Sequence, residues 1–239
     1  MRANPTADQS IRSSVNRPIR VALVDDQALV RSGFRMMVDA EEGIEVVGEA
    51  GDGEAAIELI RTTPMDIMLM DVRMPGIDGI ETTRRIIEAG YPVKIIILTT
   101  FDLDDYVYEA LRAGASGFLL KDARATELVD AIHAVNSGDA IIAPSTTKRL
   151  LNQLLPAPPA RAPQDPRRGL LTDRETDVLK QIAQGWNNTE IADNLHMAES
   201  TVKAHISRLL AKLQARDRVG LVLAAHDMGL MPQTPDAAV

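Results

Sequence analysis

Cysteine is absent from all 239 residues. Disulfides and thiolate metal sites are therefore excluded, and a reducing compartment fits. No uninterrupted apolar stretch approaches the roughly 20 residues that a membrane-spanning helix requires. The expectation is a cytoplasmic protein with no membrane partner. Residues 1–16 hold no apolar segment of the kind a secretory signal needs. Rich in Asn, Pro, Ser and Arg, residues 1–17 are expected to form a disordered leader. No internal repeat is present. A glycine-rich phosphate loop is also missing after the first apolar run, where Asp25 and Asp26 stand instead.

The charge is uneven. Against a formal net charge of −8, residues 18–138 carry 22 acidic and 11 basic side chains. Between Ser200 and Arg218 the bases are Lys203, Arg208, Lys212, Arg216 and Arg218, and the single acid is Asp217. An acidic chain with one basic stripe is compatible with DNA binding at that stripe, although most charge runs are merely solvated faces.

Five short apolar runs, at residues 19–24, 44–47, 67–70, 93–98 and 117–120, alternate with helical patterns at 27–40, 53–61, 79–89, 102–113 and 125–135. Short apolar runs bounded by turn signals read as buried strands, and parallel neighbours need crossover helices. The expected fold is an α/β doubly wound five-stranded parallel sheet, with a small all-α unit behind it. Residues 144–155 are weakly helical. Residues 156–166 are proline-rich and form a linker.

Four of the strands end in chemistry: Asp25-Asp26, Asp71, Thr99 and Lys121. Ligands of open parallel sheets sit outside the carboxyl ends of the strands, so these groups are expected to converge. Asp25, Asp26 and Asp71 would hold Mg²⁺ or another divalent cation, which relieves their mutual repulsion. Asp71, ending the central strand, is the nucleophile candidate. Attack on a phosphoramidate would give an acyl phosphate, with Lys121 neutralising the phosphoryl oxygens. Taken singly, each group has a plainer reading as a helix cap, a strand former or a solvated tip.

Behind the linker, Thr172 with Glu175 reads as a capping box, Asn188 as a cap for a second helix, and Glu199 or Ser200 as the start of a third. Residues 218–228 give a fourth. Two short helices joined by a brief turn match a helix-turn-helix. With Val202, Ile206, Leu209 and Leu213 facing the core, Lys203, Ala204, Ser207 and Arg208 face outward. Small Ala204 and Ser207 admit the helix to a major groove, where Lys203 reaches base edges. Thr201, His205, Arg208 and Lys212 are expected at phosphates, as are Asn188 and Thr189 at the opening of the preceding helix. One module makes few phosphate contacts, so a homodimer on double-stranded DNA is expected.

From Arg20 to about Gly138 the chain resembles the receiver domain of two-component response regulators. The resemblance rests on Val24-Asp25-Asp26, on the run Met70 to Gly79, and on Thr99 and Lys121. Residues 171–192 with Thr201-Val202-Lys203-Ala204-His205-Ile206 resemble the LuxR-type helix-turn-helix. Together the chain is similar to the NarL/FixJ-type regulators. The resemblance implies a flavodoxin-like receiver at 18–140, a linker at 141–169, a DNA-binding domain at 170–232 and a tail at 233–239. It implies Asp71 as phosphoacceptor from a sensor histidine kinase, the backbone carbonyl of Arg73 as a further metal ligand, and Phe118 as a switch residue that turns inward. Phosphorylation would change dimerisation and DNA binding; the chain is not expected to be an enzyme. Asp122 follows Lys121 where many receivers have proline. Bulky Phe101, two residues after Thr99, is expected to screen the phosphoryl group from water, alone or with Arg73. A phosphatase on this sheet would want a second acid where Arg73 stands. An RNA- or protein-binding rear half is the other competitor.

Overall fold

The computed structural model describes residues 17–99, 109–137 and 165–231. The leader, the first part of the expected helix at 102–113, Phe101, the weak helix at 144–155, the proline-rich stretch to residue 164 and the tail lie outside these.

The front domain runs β1 (Ile19–Val24), α1 (Ala28–Asp39), β2 (Ile44–Ala50), α2 (Gly53–Thr62), β3 (Ile67–Asp71), α3 (Gly79–Glu88), β4 (Lys94–Thr99), a helical stretch at 109–112, β5 (Gly117–Leu120) and α4 (Ala125–Ser137). The five strands form one parallel sheet in the order β2-β1-β3-β4-β5. Because successive strand residues point to opposite faces, each strand supplies two cores. Ala22, Val24, Met68, Met70, Ile95 and Ile97 pack on one side with Ala56, Ile60, Ile80 and Ile86 of α2 and α3. Val21, Leu23, Ile67, Leu69, Ile96 and Leu98 pack on the other with Phe34 and Val38 of α1 and Leu128 and Ile132 of α4. That two-sided burial is why β1, β3 and β4 are near-continuous apolar runs in the sequence.

The strand order reverses between β1 and β3, and there the connections leave toward opposite faces. A crevice opens at such a point, at the carboxyl ends of the two strands. Caps fix the helices around it. Asp52 accepts from the Ala55 N–H at 2.8 Å, and Asp78 accepts from the Glu81 N–H at 2.7 Å.

The structure moves some expected boundaries. β2 continues through Gly48 and Glu49 to Ala50, with a register shift between Val21 and Ala22 of β1. As an edge strand it is open at Gly48 and Glu49, so its apolar signal fades before its pairing does. Pro166 leaves the linker and opens a 3₁₀ turn, Pro166–Leu170, capped by Asp165.

The rear domain comprises α5 (Asp173–Ala183), α6 (Asn188–Leu195), α7 (Glu199–Leu213) and α8 (Arg218–Asp227) around one apolar cluster that includes Leu179, Ile182, Ile191, Val202, Leu209 and Leu221. α5 has the expected capping box of Thr172 and Glu175. α6 has one too, but its cap is Asn187 with Glu190, and Asn188 is the first helical residue. α6 closes on His196 in the left-handed region (φ 52°), which turns the chain toward α7.

The two domains touch at the edge of the sheet opposite the crevice. Val219 of α8 joins the α2/α3-side core of the front domain. The Arg216 guanidinium donates to the Val93 carbonyl at 3.1 Å and the Gly114 carbonyl at 3.4 Å, and Arg112 donates to Asp227 Oδ1 at 2.7 Å.

Candidate functional site

The register places the chemistry. Asp71 is the last residue of β3, Thr99 the last of β4, Asp25 the first after β1, and Lys121 the first after β5. The structure brings these four together, with Asp26 beside them. Asp25 is 2% and Asp71 4% exposed, Thr99 is buried, and Asp26 faces solvent. Lys121 Nζ lies 2.7 Å from Asp25 Oδ2 and 2.8 Å from Asp71 Oδ2, bridging two otherwise repelling carboxylates.

Burial pushes the Asp71 carboxyl above the usual carboxylate range, and the charge of Asp25 adds to this. The hydrogen bond and charge of Lys121 oppose the rise, as does the Arg73 backbone N–H that Asp71 accepts. Burial also works against the charge of Lys121, but Asp25 and Asp71 outweigh it and hold its ammonium above the usual lysine range. One oxygen each from Asp25, Asp26 and Asp71 lie within 4.8 Å of one another. Three carboxylate oxygens with one side open to water suit a hard divalent cation that keeps part of its hydration, so the residues present fit Mg²⁺.

Two supports of the pocket escaped the sequence reading. Gly79 presses on the end of β3: a Cβ there would stand 1.9 Å from the Asp71 carbonyl oxygen. The Gly79 N–H donates to the Val72 carbonyl at 2.9 Å. The dense turn signal before α3 marked the place but not the contact. Arg31 of α1 donates to the Asp25 carbonyl at 2.6 Å, and nothing in its spacing announced this. Phe118 is already inward, buried with Ile97, Ala110, Leu111 and Ala115. The small alanines leave room for the ring. Phe101 lies outside the described residues.

In the rear domain, Thr201, Lys203, Ala204, Ser207 and Arg208 all lie on the exposed side of α7, His205 is half-buried at its margin, and Thr189 is exposed on α6. Lys203 pairs with Glu199 at 3.0 Å, one turn back. Two of the residues expected at phosphates make contacts within the domain. Lys212 Nζ is 2.7 Å from the buried Glu175 carboxylate and also donates to the Leu170 carbonyl at 3.1 Å. It ties α7 to the start of α5. Asn188 is buried, and its side-chain oxygen accepts from Arg218 at 2.9 Å; Arg218 also donates to the Trp186 carbonyl. A helical pattern assigns faces, but not partners some 30 residues away.

Comparison with known proteins agrees with this geometry. Residues 21–133 match the response regulator receiver domain, and residues 169–225 match the bacterial regulatory proteins of the luxR family. YxjL of Bacillus subtilis, described as an uncharacterized transcriptional regulatory protein, is 45% identical over 217 residues, covering 89% of this chain and 97% of YxjL. The chain belongs to the two-component response regulators of the NarL type. NarL of Escherichia coli, the nitrate/nitrite response regulator, is 35% identical over 213 residues, 89% of this chain and 97% of NarL. Among solved structures, one of two RcsB dimers bound to two parallel DNAs is similar with a TM-score of 0.53 at 25% identity, over 87% of this chain and 97% of that one. The regulator is a transcription factor that joins a receiver to a LuxR-type DNA-binding domain. No helix among the described residues is long and apolar enough to cross a membrane.

Proposed function

We propose that the regulator accepts a phosphoryl group on Asp71 from the phosphohistidine of a sensor kinase, and that the modified form pairs with a second copy to bind double-stranded DNA. The observation that carries this reading is the buried Asp71 carboxylate held beside Lys121 and the acidic pair Asp25-Asp26. An Asp71 carboxylate oxygen attacks phosphorus, the P–N bond breaks, and its electron pair returns to the imidazole nitrogen, leaving an acyl phosphate. Lys121 stabilises the charge on the phosphoryl oxygens throughout. Asp25, Asp26, Asp71 and the Arg73 carbonyl would hold Mg²⁺. When bound, the cation neutralises phosphoryl charge that the single ammonium leaves over.

The product adds roughly −1.5 to −2 charges and three acceptor oxygens at the end of β3. Thr99, last on the adjacent β4, turns its hydroxyl to them. Phe118, three residues before Lys121, is held in its inward place by that shift, and the β4–β5 edge carries the change toward the contact made by Arg216 and Val219. Two rear domains on paired half-sites double the phosphate contacts available to one. The RcsB dimers on DNA favour the same arrangement here.

The test uses purified full-length protein and its Asp71→Asn variant, each treated with acetyl phosphate and MgCl₂. Intact mass and recovery of fragments in a genome-wide DNA selection are then measured. The expectation is a covalent adduct and increased recovery for the unmutated protein alone. Identical spectra and identical recovery in both would overturn the reading.

A further inference from the structure

Four contacts fix Asp25. Its N–H donates to the Ala50 carbonyl at 3.2 Å, and its Oδ1 accepts from the Gln27 N–H at 2.9 Å. Its Oδ2 meets Lys121, and its carbonyl accepts from Arg31 Nη1 at 2.6 Å. The last contact differs in kind. It acts on the peptide that joins Asp25 to Asp26, just beyond the end of β1, and both acidic side chains hang from that peptide.

We propose that Arg31 is a positioning residue for the metal-binding acids, bracing the Asp25–Asp26 peptide so that both carboxylates aim into one site. The proposal rests on the reading of the pocket as a cation and phosphoryl site. Arg31 reaches the carbonyl with one arm of its fork while its Nε is anchored to Glu49 Oε2 at 3.1 Å on the neighbouring strand β2. The other oxygen of Glu49 is held by Arg35 Nε at 2.6 Å. Position 51 is glycine, and a Cβ there would make ordinary van der Waals contact with Arg31 Nη1 at 3.8 Å, so the guanidinium lies against the end of β2. Arg31 and Arg35 share Glu49, but only Arg31 is seen to reach Asp25. An exposed arginine–glutamate pair alone contributes about 0–1 kcal/mol and orients nothing beyond itself.

Electrostatics gives the proposal a decisive sign. A guanidinium near the acids repels a divalent cation, so removing it as a mere charge would tighten Mg²⁺ binding. Removing it as a brace loosens binding, because groups that orient metal ligands are typically worth about tenfold or more in affinity.

The experiment is calorimetric titration of MgCl₂ into full-length protein, unmutated and as Arg31→Ala, Arg31→Lys and Arg35→Ala, with melting in metal-free buffer as the check on folding. Arg31→Ala is expected to bind Mg²⁺ about tenfold more weakly or worse. Arg31→Lys is expected to be weakened as well, since a point ammonium cannot hold a carbonyl and a carboxylate as a planar fork does. Arg35→Ala is expected to stay within about twofold of the unmutated protein. Affinity unchanged or tightened in Arg31→Ala overturns the proposal, as does equal weakening in Arg35→Ala. If Arg31→Ala does not fold, Arg31→Lys against Arg35→Ala decides, and equal affinities overturn it. Absence of Mg²⁺ binding by the unmutated protein sinks the pocket reading itself. Normal binding there with no effect at Arg31 removes only the brace.

Discussion

Replacing Glu175 by glutamine tests whether the rear domain hangs on a single buried charge. One oxygen of Glu175 accepts the Thr172 N–H at 2.8 Å, the Thr172 hydroxyl at 3.0 Å and Lys212 Nζ at 2.7 Å. Burial pushes the carboxyl up, but Lys212 and Thr172 together outweigh it and bring the group from 4.5 to about 2. At about 1.4 kcal/mol per unit this corresponds to a ceiling of about 3 kcal/mol at neutral pH. Lys212 is 36% exposed, and allowing for its solvent screening lowers the figure to about 2 kcal/mol. Because the folded-state value is depressed, this stability is present above the unfolded value and is lost as pH falls toward about 2. About 1 kcal/mol of it is gone near pH 3.5. Trp186, the one tryptophan in the chain, packs on the rear core and reports its unfolding directly. Urea unfolding followed by its fluorescence should therefore show Glu175→Gln less stable by about 2 kcal/mol at neutral pH, with the gap closing by about 1 kcal/mol near pH 3.5. Glutamine keeps an acceptor for the capping box, so the change isolates the charge. A gap that stays constant with pH, or one below about 0.5 kcal/mol at neutral pH, would refute the reasoning.

Gly79→Ala should force β3 and α3 apart at Asp71, costing about 1–3 kcal/mol and slowing adduct formation from acetyl phosphate; wild-type melting and wild-type labelling rates in this variant would contradict the contact. Arg208→Ala and Lys212→Ala should separate in a salt series of gel shifts. The first should lower the slope of log affinity against log salt by about one. The second should leave the slope unchanged while lowering the urea midpoint, and equal slopes for the two variants would put Lys212 back on the DNA.

The sheet and its pocket were legible because burial on both faces writes an uninterrupted apolar run, and the run stops where the chemistry begins. Val24 to Asp25, Met70 to Asp71 and Leu98 to Thr99 are such edges. Where one face is open the message weakens: at Gly48 and Glu49 the strand persists on backbone pairing alone. Two adjacent asparagines hid the cap of α6, since either residue satisfies the rule and only the backbone chooses Asn187. The basic stripe was visible as charge, but charge carries no address. Glu175 recruits Lys212 from across the domain, and Asn188 is recruited by Arg218, through packing that no local spacing encodes.

β4 has Thr99 at one end and, just before the other, the Val93 carbonyl that receives Arg216. Six residues of strand measure about 20 Å. The acidic pocket and the rear domain's contact are thus mounted on opposite tips of one buried rod, clamped between neighbours on both sides. Such a rod has little freedom to bend, so any displacement of one tip slides or tilts the entire piece.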